Sequence, residues 1–259
     1  MIVWGAGELG GRVGKIWREE GGAVVGCTQT DRRHAELRAA GIQPQLGSPA
    51  TLLQPDDALL LAIPGHTNQQ AAVRQLAESG APLPARVVFI SVTGYHGDSG
   101  GPVTPESPPG EGSRSASIAA AEADFRQWAG DRGVVIRMGG LYCDGRGPFS
   151  ALARRGKITR QAPPDKVMAL MHYDDAAAAT AAALAHPAPA RVYLGVTVPC
   201  PTREEFYTAA CAKLKLPPPQ FDPPTGQPPI LYDVSALRRD LLPAPAYPDW
   251  RMALVFSGD

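Results

Sequence analysis

A glycine-rich turn near the N-terminus limits what this chain can fold into. An apolar run at positions 2–4 is followed by the sequence Gly-Ala-Gly-Glu-Leu-Gly at positions 5–10. Beyond the glycines, Val13, Ile16 and Trp17 recur at helical spacing. The pattern predicts a strand, a tight turn and a helix in immediate succession.

Strand-like and helix-like segments continue to alternate after this unit. We predict strands at 23–27, 58–63, 86–92 and 134–138, and helices at 31–40, 68–78 and 118–128. The apolar runs do not alternate with polar residues, as expected for strands that are covered on both faces of a parallel sheet. The alternation predicts an α/β fold with a Rossmann-type, doubly wound parallel sheet.

The second half of the chain is predicted to add a small C-terminal substrate lobe. We place a nucleotide-binding domain at 1–145 and the lobe at 146–259, with segments at about 170–198 returning to the first domain. We predict a helix at 174–185, a strand at 191–198 and a helix that starts from a capping box at Thr202. Residues 217–229 are too rich in proline for regular helix or inner strand, and Trp250 is expected to pack on the body.

Composition excludes several classes of protein. The 259 residues carry 25 Lys+Arg against 25 Asp+Glu, so no basic excess indicates nucleic acid or an anionic membrane as a partner. No apolar run approaches the length of a membrane span. Strand-like residues begin at Ile2 without a preceding signal-type segment, an abrupt start that is also typical of a trimmed upstream segment.

The four cysteines lie far apart in the sequence, with no CxxC pair. This spacing argues against a zinc site or a disulfide framework and favours free thiols in a reducing compartment. We therefore expect a cytoplasmic protein without a metal, as a monomer or a homodimer.

The three glycines of the turn have the spacing of a dinucleotide-binding motif. Gly5 permits the tight turn, Gly7 lets the backbone approach a pyrophosphate, and Gly10 lets the helix pack on its strand. Because the motif follows a strand and opens a helix, we predict that it binds NAD(P).

The segment after the second strand indicates which dinucleotide is bound. An NAD site usually has an acidic residue at this strand tip for the ribose 2′-hydroxyl. Here the tip reads Cys-Thr-Gln-Thr at 27–30, followed by Asp31, Arg32 and Arg33. Hydroxyls with an arginine suit a 2′-phosphate and favour NADP(H), while Asp31 leaves NAD(H) open.

Motifs along nearly the whole chain resemble the short-chain dehydrogenase/reductases, in particular their atypical, NAD(P)-dependent epimerase/dehydratase-like branch. The likeness is carried by GAGELGGRVG at the start, SVTGYHGD from Ser91, VVIRMGGLYCDGRG from Val134, MHYDDAAAA from Met171 and YPDWR from Tyr247. The resemblance implies that the nicotinamide lies near Ser91, Val92 and Thr93. It also implies a catalytic Ser/Thr, a Tyr and a Lys four residues after the Tyr.

The sequence departs from this catalytic pattern. The Tyr-x-x-x-Lys motif should fall within 113–122, which contains neither residue. Arg114 or Ser117 occupies the Tyr place, and Ile118 or Ala121 the Lys place.

Val92 stands where the catalytic hydroxyl is commonest in the family. A carbonyl reduction still requires a proton donor or an oxyanion partner. The candidate catalytic residues are therefore Thr93, Tyr95 and Tyr142, each of which could instead serve packing or turn formation.

These interpretations predict an NAD(P)-dependent oxidoreductase or epimerase-like enzyme that acts on a small molecule. The alternative is a non-catalytic NADP(H)-binding sensor or scaffold. The predicted cofactor-binding residues are Gly5, Gly7, Glu8, Leu9, Gly10, Thr28, Gln29, Thr30, Arg32, Ala62, Ile63, Pro64, Ser91 and Val92.

Overall fold

The structure, a computed structural model, describes residues 1–98, 100–158 and 162–254, with the backbone alone at Ala253. Its strands are β1 Ile2–Trp4, β2 Val25–Thr28, β3 Gln43–Leu46, β4 Ala58–Leu61, β5 Arg86–Val92, β6 Gly101–Val103, β7 Gly133–Met138, β8 Gly140–Tyr142, β9 Leu170–His172, β10 Val192–Gly195 and β11 Ile230–Tyr232. Its helices are α1 Glu8–Glu19, α2 His34–Ala39, α3 His66–Glu78, α4 Ser113–Ala129, α5 Pro148–Arg155, α6 Tyr173–Ala185, α7 Arg203–Lys213 and α8 Ser235–Asp240.

The predicted Rossmann-type sheet is confirmed. Seven parallel strands lie in the order β10-β7-β5-β4-β1-β2-β3. The chain starts in the middle at β1, builds outward to β3, and then crosses back to β4 on the other side. The reversal between β1 and β4 is the topological switch point, and ligands of such sheets bind outside the carboxyl ends of the strands there.

Apolar residues on successive strand positions fill two layers of core. Val88 and Ile90 of β5 face the layer that contains α1 and α6, whereas Val87 and Phe89 face α3 and α4. This explains why the strand sequences are apolar at every position. Phe89 stacks on Phe125 of α4 with ring centroids 4.8 Å apart.

A smaller apolar cluster holds the C-terminal segments together. It contains Tyr142, Phe149 of α5, Phe206 of α7 and Trp250. The predicted capping box is confirmed, because the Glu205 amide donates to Thr202 Oγ1 at 3.1 Å and the Thr202 amide to Glu205 Oε2 at 2.7 Å. Trp250 is buried against Phe206, as predicted.

Some predicted boundaries were wrong. Two short elements after β5 were not predicted, namely a 3-10 turn at Thr93–His96 and the strand β6. β6 pairs with β11, which lies far away in the sequence, so local sequence carries no signal for it. α4 begins at Ser113, earlier than the predicted start at Ile118.

Strand β3 was not predicted because its sequence, Gln-Pro-Gln-Leu, lacks an apolar run. It forms an edge of the sheet, where Pro44 pairs with Gly26 of β2. Within residues 217–229, all of them described, no helix or strand is present, as predicted.

Candidate functional site

The glycine turn joins β1 to α1 and leaves one backbone face free of side chains. Gly5 has a φ of +96°, and a Cβ placed there would lie 2.6 Å from the carbonyl carbon of Ala62. A Cβ on Gly10 would lie 2.5 Å from the Gly5 oxygen, so the close packing of the turn against Ala62 and of α1 against the turn requires glycine at both positions. A Cβ on Gly7 would approach only the Gly5 oxygen, at 3.9 Å, and therefore points into open space.

The N-terminus of α1 opens onto the same face. Gly7 is its N-cap residue, and no side chain caps the first turn, so its amide groups are available to an anion. Glu8, the acidic residue of that turn, accepts a hydrogen bond from Arg12 Nε at 2.9 Å and lines a separate groove between α1 and α2. The turn thus fits the pyrophosphate of a dinucleotide.

A cleft of about 490 Å³ extends from this turn across the carboxyl ends of β1, β2 and β4. It brings together eight of the predicted cofactor-binding residues, namely Gly5, Gly7, Thr28, Gln29, Thr30, Arg32, Ile63 and Pro64. Of the other predicted residues, Ala62 supports Gly5, while Leu9 and Gly10 are buried where α1 packs on the sheet.

The cleft contains a cation at its outer end. Arg32 is exposed and has no hydrogen-bond or ionic partner among the described residues. Arg33 also lines the cleft, but its Nε donates to Glu36 at 2.8 Å. Asp31, which could have bonded a ribose hydroxyl, is not among the residues of the cleft wall. Arg32 is therefore the charged group available to a ligand here.

The carboxyl end of β5 carries the next group of predicted residues. The Ser91 hydroxyl donates to Glu122 Oε1 of α4 at 2.6 Å, so it faces the buried layer below the sheet rather than the cleft. Val92 is 38% exposed and presents an apolar surface. Thr93 lies beside the hydroxyl of Tyr232 in β11. Sequence reasoning missed Tyr232, because only the long-range pairing of β11 with β6 brings it here.

A buried cluster around Arg137 accounts for the second catalytic candidate, Tyr95. The Arg137 guanidinium lies 3.4 Å from the centre of the Tyr95 ring and donates to Glu122 through Nε at 3.0 Å and Nη2 at 2.9 Å. Its Nη1 donates to His96 Nε2 at 3.2 Å. Burial, together with the Arg137 charge, lowers the pKa of His96 to about 4. Tyr95 is thus a packing aromatic over a buried ion pair.

The third candidate, Tyr142, lies in the C-terminal cluster and not with the other two. Its hydroxyl is buried and has no hydrogen-bond partner among the described residues, and its ring contacts the edge of His172. Burial, with Asp175 nearby, raises the pKa of Tyr142 above its usual range. The structure does not bring the three predicted catalytic residues together; of them, it places only Thr93 beside a second hydroxyl.

The start of α4 brings two of the side chains considered for the places of the family's Tyr and Lys over the loop after β5. A Cβ on Gly94 would lie 3.4 Å from both Arg114 Nε and Ile118 Cδ1, so these two side chains cover the loop after β5. Ser117 is exposed on another side of the helix. Of the four residues considered for the Tyr and Lys places, Arg114 and Ile118 therefore lie over this loop.

A second cleft, of about 860 Å³, lies between the start of α4 and the segment that leads into β11. Its wall comprises Gly94, Gly97, Asp98, Gly100, Glu111, Arg114, Ser115, Lys166 and Gln227. Its wall includes Gly94, the residue after Thr93, but neither Thr93 nor Tyr232.

Residues 1–98, 100–158 and 162–254 contain no group of three or more His, Cys, Asp or Glu side chains that could hold a metal ion. In the same described segments, no helix combines the length and apolar character needed to cross a bilayer.

Of the known proteins compared with this chain, only solved structures are significantly similar to it. No protein-family model matches the sequence, and no curated protein is significantly similar to it. A functionally unknown conserved protein from Silicibacter pomeroyi DSS is 21% identical with a TM-score of 0.76, over 98% of this chain and 95% of that chain. UDP-glucuronic acid 4-epimerase from Bacillus cereus, in complex with UDP-glucuronic acid and NAD, is 16% identical with a TM-score of 0.78, over 98% and 96% of the two chains.

A third neighbour is a putative NAD-dependent epimerase/dehydratase from Methylobacillus flagellatus. It is 20% identical with a TM-score of 0.73, over 97% of this chain and 94% of that chain. These likenesses confirm, for the fold, the resemblance that was predicted from the sequence. The chain shares the Rossmann-type fold of the NAD-dependent epimerase/dehydratase-like enzymes.

Proposed function

We propose that this protein is an NADP(H)-dependent oxidoreductase or epimerase-like enzyme that acts on a small molecule. The observation that carries the proposal is the open backbone face at Gly7, which adjoins the cleft at the switch point of the sheet. Gly5, Gly7 and the first turn of α1 would hold the pyrophosphate, and Thr28 to Arg32 the adenosine end. When bound, the cofactor supplies a hydride acceptor or donor.

Arg32 supports NADP(H) over NAD(H). An unpaired guanidinium is matched in charge and geometry to a 2′-phosphate, whereas the neighbouring structures are described with NAD. The Thr28 hydroxyl already bonds His34 Nε2 at 2.8 Å and the Thr30 oxygen at 2.9 Å, so it is not free for a ribose. Arg32 is thus the residue on which the choice of cofactor depends.

The Thr93 and Tyr232 hydroxyls would take the place of the absent Tyr/Lys pair. Burial raises the pKa of Tyr232 to about 12, so the phenol keeps its proton at neutral pH. A protonated phenol donates a hydrogen bond to a substrate oxygen and can deliver a proton to it.

The non-catalytic sensor is a second candidate, favoured by the residues that α4 and β5 present. The Lys place falls on Ile118 or Ala121 and the hydroxyl place on Val92, and none of these side chains can move a proton. In that case cofactor binding would persist without any turnover.

We also propose a cytoplasmic setting, as a monomer or a homodimer without nucleic-acid or membrane partners. All four cysteines are free thiols. Burial raises the pKa of Cys27 to about 11 and that of Cys200 to about 12, which keeps both thiols protonated and unreactive.

Calorimetric titration with NADPH and NADH tests the cofactor assignment. We expect Arg32→Gln to weaken NADPH binding about tenfold or more and to leave NADH binding within about twofold. Arg38→Gln, an exposed arginine of α2, is the matched control and should change neither. Absence of NADPH binding at millimolar concentration would overturn the proposal, and tighter binding of NADH by the unmodified protein would overturn the NADP(H) preference.

Turnover separates the enzyme from the sensor. The assay follows nicotinamide absorbance with a panel of carbonyl compounds and separates epimeric products by chromatography. We expect Tyr232→Phe to lower kcat on an accepted substrate at least about a hundredfold while the affinity for NADPH stays the same. Cofactor binding with no reaction in either assay would favour the sensor.

A further inference from the structure

The two clefts at the carboxyl edge of the sheet each contain an arginine without a partner. Arg32 lines the first cleft and Arg114 the second, and neither forms a hydrogen bond or ion pair with any described residue. Arginines elsewhere on this half of the chain are commonly paired, as Arg12 is with Glu8 and Arg74 with Asp124. A free guanidinium in a concave site is available to a ligand.

The Arg114 guanidinium lies directly over the loop that follows β5. A Cβ on Gly94 would be 3.4 Å from Arg114 Nε and 3.7 Å from Nη2, so the guanidinium lies within van der Waals reach of position 94. Gly94 follows Thr93 in the chain, and the Thr93 side chain lies beside the Tyr232 hydroxyl. The charged group therefore covers the residue that directly follows Thr93.

None of the other charged side chains in the second cleft forms an ion pair with Arg114. Lys166 Nζ donates to Asp98 Oδ2 at 2.7 Å, and this contact uses one of the two carboxylates in the wall. Glu111, the other carboxylate, is exposed and lies outside ion-pair distance of Arg114. The wall thus offers one free guanidinium, while the charge of Lys166 is compensated by Asp98.

We infer that the second cleft binds the anionic group of the substrate, with Arg114 as its main contact. The inference rests on the proposed function and narrows it: the substrate is a small hydroxy or carbonyl compound that carries a carboxylate or a phosphate. Both groups match the planar fork of a guanidinium. Arg114 would hold the anion while the Thr93 and Tyr232 hydroxyls face the oxygen that reacts.

Direct titration with two simple anions tests this site. Inorganic phosphate and malonate are added to protein saturated with NADP⁺, which fills the first cleft and removes Arg32 as a competing site. We expect saturable binding of at least one probe, with a dissociation constant of about 1 mM, measured by calorimetry. The probe that binds more tightly identifies the class of anion.

Variants of Arg114 provide the decisive comparison. We expect Arg114→Gln to weaken the tighter probe about tenfold or more and Arg114→Lys to weaken it less, because a lysine keeps the charge but loses the fork. Arg38→Gln should stay within about twofold. Equal losses in Arg114→Gln and Arg38→Gln, or no saturable binding to the unmodified protein, would overturn the inference.

This design keeps the two proposals apart. If NADP⁺ binds normally and neither anion does, the inference fails and the proposed function stands. If NADP⁺ does not bind, the proposed function fails, and the anion titrations are then made on Arg32→Gln, in which the first cleft lacks its cation. If the double variant Arg32→Gln/Arg114→Gln binds the anion more weakly than Arg32→Gln does, the anion site is supported. Equal binding by the two variants overturns the inference.

Discussion

At the scale of single residues, burial decides which polar side chains can take part in chemistry. Tyr142 was a catalytic candidate from its place in a sequence motif, but its hydroxyl lies in an apolar cluster without a partner among the described residues. Tyr232 was not a candidate, although it lies beside Thr93. Sequence motifs identify neighbours along the chain, whereas this pair depends on strands that are remote in sequence.

Replacing Tyr142 by Phe should stabilise the protein. Removal of a buried hydroxyl without a partner relieves a desolvation penalty, so we expect the free energy of unfolding to rise by about 1 kcal/mol. Tyr193→Phe is the control, because that hydroxyl accepts from the Ala190 amide at 2.6 Å and donates to Asp240 at 3.1 Å. Denaturant unfolding measures both, and an equal loss of stability in the two variants would contradict this account of Tyr142.

His96 should make stability depend on pH. Its pKa is about 4 in the folded protein against an ordinary value of 6.5, so below pH 6.5 the unfolded chain binds a proton that the folded protein resists. The contribution of His96 to the free energy of unfolding is fully present above pH 6.5 and falls by about 3 kcal/mol as the pH is lowered to 4.

Unfolding of the unmodified protein and of His96→Gln at pH 7 and pH 4 measures this contribution. Glutamine offers an oxygen to Arg137 but does not titrate, so the variant should lose about 3 kcal/mol less stability between the two pH values. His66→Gln should lose as much as the unmodified protein does. The same loss in all three proteins would show that His96 is protonated in the fold.

At the scale of elements, the sheet and its helices could be predicted, but their ends could not. Apolar runs determined β1, β4, β5 and β7, because strands covered on both faces need such residues at every position. The start of α4 was placed too late since Ser113 to Ser117 carry no apolar spacing. What fixes this turn is tertiary: Ser115 Oγ donates to the Gly94 oxygen at 3.0 Å.

The ion pair between Glu122 and Arg137 should hold α4 on the sheet. Glu122 is fully buried, and truncating it leaves Arg137 without its counter-charge. We therefore expect Glu122→Ala to lower the free energy of unfolding by about 3–5 kcal/mol. Asp124→Ala is the control on the same helix, since its pair with Arg74 is exposed and worth about 0–1 kcal/mol.

If Glu122→Ala does not fold, Glu122→Gln retains the shape of the side chain and can be measured instead. It should still be destabilised more than Asp124→Ala in thermal unfolding. A similar melting temperature for the two variants would show that the buried pair contributes no more than a surface contact.

At the scale of the whole molecule, one buried carboxylate connects the C-terminal tail to the sheet-packing helix α6. Asp175 accepts hydrogen bonds from the Ala246 amide at 2.8 Å and the Tyr247 amide at 2.9 Å, and the Tyr247 ring stacks on His172. The sequence suggested only that the tail aromatics pack on the body. The acceptor for its backbone could not be predicted, since an acidic residue in the first turn of a helix is already explained by the helix dipole.

Asp175→Asn should loosen the tail. The asparagine side chain turns its NH2 donor toward one of the two backbone N–H groups, so one hydrogen bond is lost. We therefore expect the free energy of unfolding to fall by about 1–3 kcal/mol and proteolysis near residue 246 to become faster. Asp131→Asn is the control, because that carboxylate is exposed and pairs with Arg191, away from the tail. Limited proteolysis followed by mass spectrometry compares the variants, and equal cleavage rates would contradict the role of Asp175.

Strand β3 has a consequence for self-association. The Gln43 amide points inward and donates to the Val24 oxygen at 2.9 Å, so position 44 points its nitrogen outward, and a proline there has no hydrogen to offer. A second copy of the chain cannot extend the sheet at this margin by adding a strand, because the ladder would be interrupted at Pro44. If the protein forms a homodimer, its two sheets are not joined edge to edge through β3.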